Sequence, residues 1–382
     1  MKSNELLLSD TIKYLRFPMT VGIILIHSDL ARVGITIHGV QYGMNYPDWY
    51  LYFCVLFSET LSSICVPAFF VISGYLFFYK VDYNGSVYAQ KLKKRIKTLL
   101  VPYFLWNMIA LLFRVVRMSP LFSSIFQNVN NVEFHFSLIR LFNSFFYDDW
   151  TNGLFVYPDI GVRLESPIPM NGPMWYVRDL MIIILLTPIV YCLIKKLKVW
   201  FLIGMAIVLY YGSYHIFPNM KSLTILIDYF FFFSWGAYYS INKLNIVEQM
   251  RRIKYIPILF LILVVLCLIT NSTEYNRYVH FPTILTGIVS SVALVSYLLE
   301  KGRIHINETL ANSSFFIFAL HSLILNEIGK LLFICVGCND SPLMLLFLYI
   351  LIPVVTILIC VGLYKLLNRF APAVCSLLTG GR

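Results

Sequence analysis

Charge is scarce in this chain. Asp, Glu, Lys and Arg make up 13% of its 382 residues, against 59% hydrophobic and 16% aromatic. A polypeptide of that composition, with a mean hydropathy of +0.75, is excluded from the ordinary water-soluble domains. Acids are scarcer still, 19 against 30 bases. The first apolar stretch is not followed by a small-residue cleavage site, so it reads as a retained helix rather than a signal peptide. An inverted internal repeat of the transporter kind is missing. So is a disulfide framework: Cys54, Cys65, Cys192, Cys267 and Cys360 lie inside apolar runs, where thiols pack as small hydrophobes. Cys335 and Cys338 form a lone CxxC without a second pair or neighbouring histidines, which argues against a metal or redox site.

Long apolar runs are abundant. A bilayer core of roughly 30 Å takes about 20 apolar residues per helix. On that basis the sequence predicts an all-α polytopic membrane protein with ten spans, at 12–29, 50–79, 98–118, 173–194, 199–217, 222–241, 255–270, 281–299, 311–335 and 343–366. The second is long enough to tilt or kink, with Pro67 and Ser73-Gly74 as the expected flexing points. Cytoplasmic loops hold an excess of Lys and Arg. Placing the N-terminus inside gathers most of the basic residues in inner segments, Lys91 to Lys97 and Lys195 to Lys198 among them, so both termini are expected in the cytoplasm. The formal charge of +11 is then largely a topological signal and implies no nucleic-acid partner. The outer loop 119–172 is long and aromatic, and its stretch VEFHFSLIRLFNSFF reads as an interfacial amphipathic helix. The chain is expected to be one membrane domain, 1–382.

The segment RFPMTVGIILIH, Arg16 to His27, carries two ionisable groups on one apolar helix. Eleven positions at about 100° each bring them within roughly 20° of azimuth and about 16 Å apart along the axis. Singly, Arg16 could snorkel to headgroups and His27 could bond a neighbouring helix. Together on one face they suggest chemistry, because an arginine at the inner mouth can clamp a phosphate while a deeper imidazole serves as base or nucleophile. Coenzyme A has the matching shape, phosphates at one end and a thioester on a long arm.

Further pieces follow in order: VPAFFVISGYLFF, KLKKRIKTLLVPYFLW, NGPMWYVRDL and SFFIFALHSLIL. Together with Arg-x10-His, they resemble the acyltransferase-3 family of integral membrane acyltransferases, over nearly the whole chain. The resemblance implies transfer of acetyl, or sometimes succinyl, groups from cytoplasmic acyl-CoA (acetyl-CoA as donor) to hydroxyls of bacterial surface polysaccharides or their lipid-linked precursors, in the bacterial inner membrane. No metal is implied.

His27 matches the family's essential histidine and is the expected catalytic residue, either deprotonating the acceptor hydroxyl or briefly carrying the acyl group. Asp29 is off that helix face, which leaves Glu59 as the candidate partner carboxylate or else a boundary residue facing water. Arg16 is assigned to coenzyme A phosphates, with Lys94, Arg95 and Lys97 as possible assistants, although topology alone accounts for a basic loop. The family often has paired arginines there; lysine lacks the guanidinium fork. Ser73 and Gly74 either open a path for the pantetheine arm or serve helix packing. Arg178 is a candidate for stabilising the oxyanion or for holding an acceptor phosphate, with Trp175 and Asp179 beside it for acceptor contact, against the readings of interfacial anchor for Trp175 and of neutralisation of Arg178 by Asp179. His321 sits at mid-membrane as a chemical group or an interhelical hydrogen-bonding one. The rival classes are a transporter or flippase of lipid-linked glycan, whose substrate path the same charges would line, and a catalytically silent membrane sensor.

Overall fold

The computed structural model describes residues 4–28, 35–37, 40–42, 46–118, 133–149, 153–156, 165–166, 168–211, 221–339 and 341–381. Asp29, His38, His215 and much of the 119–172 loop lie outside them. In chain order the α-helices are α1 (Asn4–His27), α2 (Asp48–Cys54), α3 (Cys65–Phe78), α4 (Gly85–Arg95), α5 (Val101–Arg117), α6 (Leu138–Ser144), α7 (Trp175–Leu185) and α8 (Thr187–Leu197). There follow α9 (Val199–Tyr211), α10 (Lys221–Ile241), α11 (Ile246–Arg251), α12 (Ile256–Thr270), α13 (Asn276–Glu300), α14 (Glu308–Cys335), α15 (Pro342–Phe370) and α16 (Pro372–Thr379). The strands among the described residues are two or three residues long and pair antiparallel: Ile35–Ile37 with Val40–Tyr42, Glu133–Phe134 with Phe155–Val156, and Asp148–Asp149 with Glu165–Ser166. The protein is an all-α membrane protein.

Among the described residues five helical segments are long and apolar enough to cross a bilayer: Asp48–Phe78, Gly85–Arg117, Asn276–Glu300, Glu308–Cys335 and Pro342–Phe370. A sixth is added if Gly172–Leu185 and Thr187–Leu197 form one span. Helix occupies each of the ten segments expected from the sequence. However, α9 and α12 have only 13 and 15 residues, and α1 carries Glu5, Asp10, Lys13 and Arg16 along its first half.

Pro18, Pro282 and Pro353 lie inside continuous helices, while three other prolines follow or mark irregularities. The proline ring supplies no N–H to the carbonyl four residues back and clashes with it. Ahead of Pro67 the chain passes through a π-helical turn, Val55–Leu61, and a 3-10 turn, Ser62–Ile64. Hydroxyls accompany these turns: Ser62 donates to the Phe57 carbonyl at 2.6 Å and Ser63 to Thr60 at 2.8 Å. The flexing expected at Pro67 is therefore displaced to the turns before it, and Ser73-Gly74 lies in regular helix. Ahead of Pro102 the segment Ile96–Leu100 is likewise π-helical. At Pro188 the axis bends by 60° between α7 and α8, and the Thr187 hydroxyl takes the Ile184 carbonyl at 2.7 Å. The expected span 173–194 therefore carries a 60° bend.

The chain packs as two compact units, one of Met1–Ile26, Val55–Lys94 and Asp179–Ser314, the other of His27–Cys54, Arg95–Arg178 and Phe315–Arg382. In the first, α3 and α10 meet backbone to backbone. A Cβ on Gly74 would overlap the Phe233 carbonyl, and one on Gly236 would overlap that of Val71. Gly22 of α1 admits the Cys65 sulfur in the same way. Helices that gain little from the hydrophobic effect inside lipid associate through such small residues. In the second unit, α16 returns to the start of α5, where the Trp106 indole donates to the Leu378 carbonyl at 3.0 Å. Gly380, at φ +68°, lies against the Thr98 carbonyl, where a side chain would not fit.

Gly236→Ala is expected to destabilise the protein by about 1–3 kcal/mol through overpacking. A melting curve in detergent checks this: the midpoint falls by several degrees, whereas Gly204→Ala, at a position with nothing within 4 Å of the added methyl, leaves it unchanged.

Candidate active site

His27 closes the last turn of α1. Two residues earlier, the Leu25 carbonyl accepts the Ser58 hydroxyl at 2.6 Å. The His27 ring is exposed. His321, in α14, is 0% exposed, and the two imidazoles lie with centroids 5.4 Å apart, tilted by 40°. These are the two candidate residues that the fold brings into ring contact. Of the pair, His27 is the exposed one.

The orientation of His321 is fixed within its own helix. Its Nδ1 is 2.7 Å from the Phe318 carbonyl and 3.2 Å from that of Ile317. Carbonyls only accept, so Nδ1 carries the proton and donates, and Nε2 holds the lone pair. Among the described residues Nε2 is buried without a hydrogen-bond partner. Leaving a buried acceptor unpaired costs about 1–3 kcal/mol.

An asparagine holds α14 in place. Asn171, 0% exposed, donates through Nδ2 to the Ala319 carbonyl at 3.0 Å and, more weakly, to that of Trp106 at 3.5 Å. Its Oδ1 accepts from the Ser322 hydroxyl at 3.1 Å, and its backbone N–H donates to Asn107 Oδ1 at 2.9 Å. Asn107 in turn donates to the Tyr103 carbonyl at 2.8 Å. Ala319 and Ser322 bracket His321, so this network sets both the depth and the rotation of α14 at the imidazole. Asn107, Asn171 and Ser322 were not among the residues singled out from the sequence. The available signal was an amide inside the apolar run FLWNMIALL and another just before Gly172-Pro173.

The remaining candidates are distributed as follows. Arg16 is half-buried on α1, its carbonyl accepting from Thr20 at 2.9 Å. Among the described residues no carboxylate pairs with its guanidinium. Lys94 and Arg95 close α4, and Lys97 lies on the π-helical turn Ile96–Leu100. The expected basic loop is therefore helical from Gly85 onward, with Lys94 and Lys97 exposed and Arg95 half-buried. Glu59 is on the π-helical turn Val55–Leu61 of the first unit. Ser73 is half-buried and Gly74 is buried where α3 meets α10. Trp175 opens α7. Arg178 donates to the Phe146 carbonyl at 2.7 Å, and Asp179 is buried. The Arg178 bond ties α7 to the segment 133–149 within the second unit. Tyr103 binds the same segment through its hydroxyl on Phe145, and Met170 through its N–H on Ser144. Within that segment the expected interfacial helix is only α6, seven residues long, with Leu138, Ile139 and Phe142 exposed. No group of three or more metal-ligating side chains occurs among the described residues.

A family model described as an acyltransferase domain matches residues 10–365. The chain is 26% identical over 387 residues to the succinoglycan biosynthesis protein ExoH of Rhizobium meliloti (strain 1021), an alignment that spans 98% of this chain and 92% of that protein. No solved structure matches it.

Asn171→Ala removes both donors to α14 and Trp106 and strands the Ser322 hydroxyl. The expected loss is about 2–4 kcal/mol, two to three hydrogen bonds' worth in a buried network. Thermal midpoints in detergent read this loss, and Ser322→Ala, which deletes only one bond, is expected to cost less than half as much.

Proposed function

Because the chain belongs to the acyltransferase-3 family, an acyltransferase of the membrane, we propose that it moves an acetyl or succinyl group from cytoplasmic acyl-CoA to a hydroxyl of a surface polysaccharide or its lipid-linked precursor. The polysaccharide acceptor is supported by the likeness to ExoH, whose name places it in succinoglycan biosynthesis. The observation that carries the proposal is the pair of groups on α1: an exposed imidazole backed by a second, fully buried one, and a half-buried guanidinium without a carboxylate partner among the described residues. Burying a cation part-way without an anion is unfavourable, and an anionic ligand removes the penalty.

In this reading Arg16 grips the cofactor's phosphates bidentately. His27, about 16 Å further along the same helix, takes the proton of the acceptor hydroxyl. The hydroxyl oxygen attacks the thioester carbonyl carbon, the C–S bond breaks, and the imidazolium returns its proton to the leaving thiolate. Arg178 and Trp175 stand toward the acceptor, with Asp179 and Glu59 as further polar groups of the site. Arg95, with Lys94 and Lys97, stands toward the cofactor's anionic head, and Ser73 and Gly74 along its arm. The topology proposed with it is ten crossings of a bacterial inner membrane with both termini in the cytoplasm, supported by the distribution of Lys and Arg and by helix in every expected segment. The whole of 1–382 then forms one functional domain. A transporter or flippase of lipid-linked glycan would act without acyl-CoA, and the family match lends it nothing.

Membranes containing the wild type, Arg16→Ala or His27→Ala, supplied with radiolabelled acetyl-CoA and glycan acceptor, test the proposal. The wild type labels the glycan. Arg16→Ala raises the KM for acyl-CoA about ten- to a hundredfold, or about 1.4–2.8 kcal/mol. His27→Ala lowers kcat by at least about a hundredfold with little effect on KM. Equal glycan labelling by all three proteins contradicts the assignment.

A further inference from the structure

We propose that His321 is a positioning residue that acts through His27: its Nε2 lone pair accepts a hydrogen bond from one ring N–H of His27 and so keeps the other nitrogen of His27 free to take a proton from the acceptor. The inference rests on the acyl-transfer reading above and assigns a role that neither the family match nor the relative's name supplies.

Three observations converge on it. His321 cannot meet substrate, being 0% exposed. Its tautomer is set by the carbonyls of Phe318 and Ile317, which hold the proton on Nδ1 and turn an acceptor, not a donor, toward its neighbours. That acceptor, Nε2, is buried and unpartnered. Among the described residues the rings in contact with His321 belong to Phe318 and His27, and of these two His27 is the one that owns an N–H. Imidazoles joined edge to edge by one N–H···N bond of about 2.9 Å have centroids about 5.2 Å apart. The observed 5.4 Å is that separation with the rings tilted by 40°, and His27, exposed at the end of α1, has the freedom to turn into line.

The consequence is a division of labour between two like side chains. With its inner N–H engaged by His321, neutral His27 presents its lone pair outward. When it accepts the hydroxyl proton, the positive charge is shared with a neutral acceptor already in place, and the proton leaves again with the thiolate. His321 itself neither gains nor loses a proton over the cycle. The Asn171 network, which clamps the residues on both sides of His321, holds the acceptor at the required depth.

Two amides separate this role from a structural one, because the Asn amide nitrogen takes the place of imidazole Nδ1 while the Gln amide takes the place of Nε2. His321→Gln keeps an acceptor for His27 and is expected to retain kcat within about tenfold of wild type. His321→Asn keeps only the bond to Phe318 and is expected to lose about a hundredfold in kcat with KM for acyl-CoA unchanged. A purely structural histidine gives the reverse order, which overturns the proposal. If His321→Asn does not accumulate, His321→Met, apolar and of similar length, takes its place in the comparison. A readout that needs no turnover is the rate at which diethylpyrocarbonate modifies His27, followed by peptide mass spectrometry. This rate falls about tenfold in the Asn or Met variant and recovers in the Gln variant, and equal rates in all of them overturn the coupling. A wild type that modifies normally but transfers no acyl group would sink the acyl-transfer reading while leaving the His27–His321 coupling measured.

Discussion

Inside a hydrocarbon layer a polar atom has no water to turn to, and this constraint organises the whole chain. Each backbone N–H and C=O has to be served by the protein itself. Helix does most of this, and ahead of Pro67 and at Pro188 nearby hydroxyls bridge to carbonyls, as Ser62, Ser63 and Thr187 do. Asn171 extends the same principle to side chains: its carboxamide and backbone N–H are both engaged, and in being satisfied it locks three helical segments together. Against that background the exceptions stand out. Among the described residues the hydroxyls of Thr98, Ser234 and Ser240 and the Nε2 of His321 are buried without a partner, and Arg16 is half-buried without a carboxylate; the functional reading begins from the last two.

Glycine provides the complementary device. Where α3 crosses α10, Gly74 and Gly236 bring backbone against backbone, and Gly22 of α1 makes room for the Cys65 side chain. The contact fixes the helix carrying Arg16 in the first unit, while hydrogen bonds to and from Asn171 fix the helix carrying His321 in the second. Packing in one unit and polar bonding in the other reach the same end, a side chain held at a set height in an apolar surround. Gly74 has a sufficient structural reason to be glycine in this crossing, independent of any path for a pantetheine arm.

Much of this was legible in the sequence. Composition identified the solvent, and each apolar run singled out in the sequence falls on helix, because burial in lipid demands about 20 such residues wherever a chain crosses, whereas the helices α4, α11 and α16 lie outside those runs. Arg16 and His27 were visible as costly groups in a greasy helix. What composition could not convey was register. Pro67, Pro102 and Pro188 were in plain view, yet whether the chain answers with a π turn, as at Ile96–Leu100, or a 60° bend, as at Leu186, depends on which hydroxyls and neighbouring helices are at hand. The role of Asn171 was hidden for a related reason: its partners are 64 to 151 residues away in the chain, and no local pattern announces a bond of that separation. The burial of His321 and the exposure of His27 are also products of tertiary packing, since both sit in equally apolar stretches.

The central claim is that one molecule of acyl-CoA lies along α1 with its phosphates at Arg16 and its thioester at His27. The most direct measurement is an electron cryomicroscopy structure of the full chain in lipid nanodiscs with a thioether analogue of acetyl-CoA that cannot transfer its acyl group. The account predicts density for the phosphates on the Arg16 guanidinium and for the acyl sulfur within van der Waals reach of the His27 ring. Density for the analogue at a site touching neither residue would contradict it.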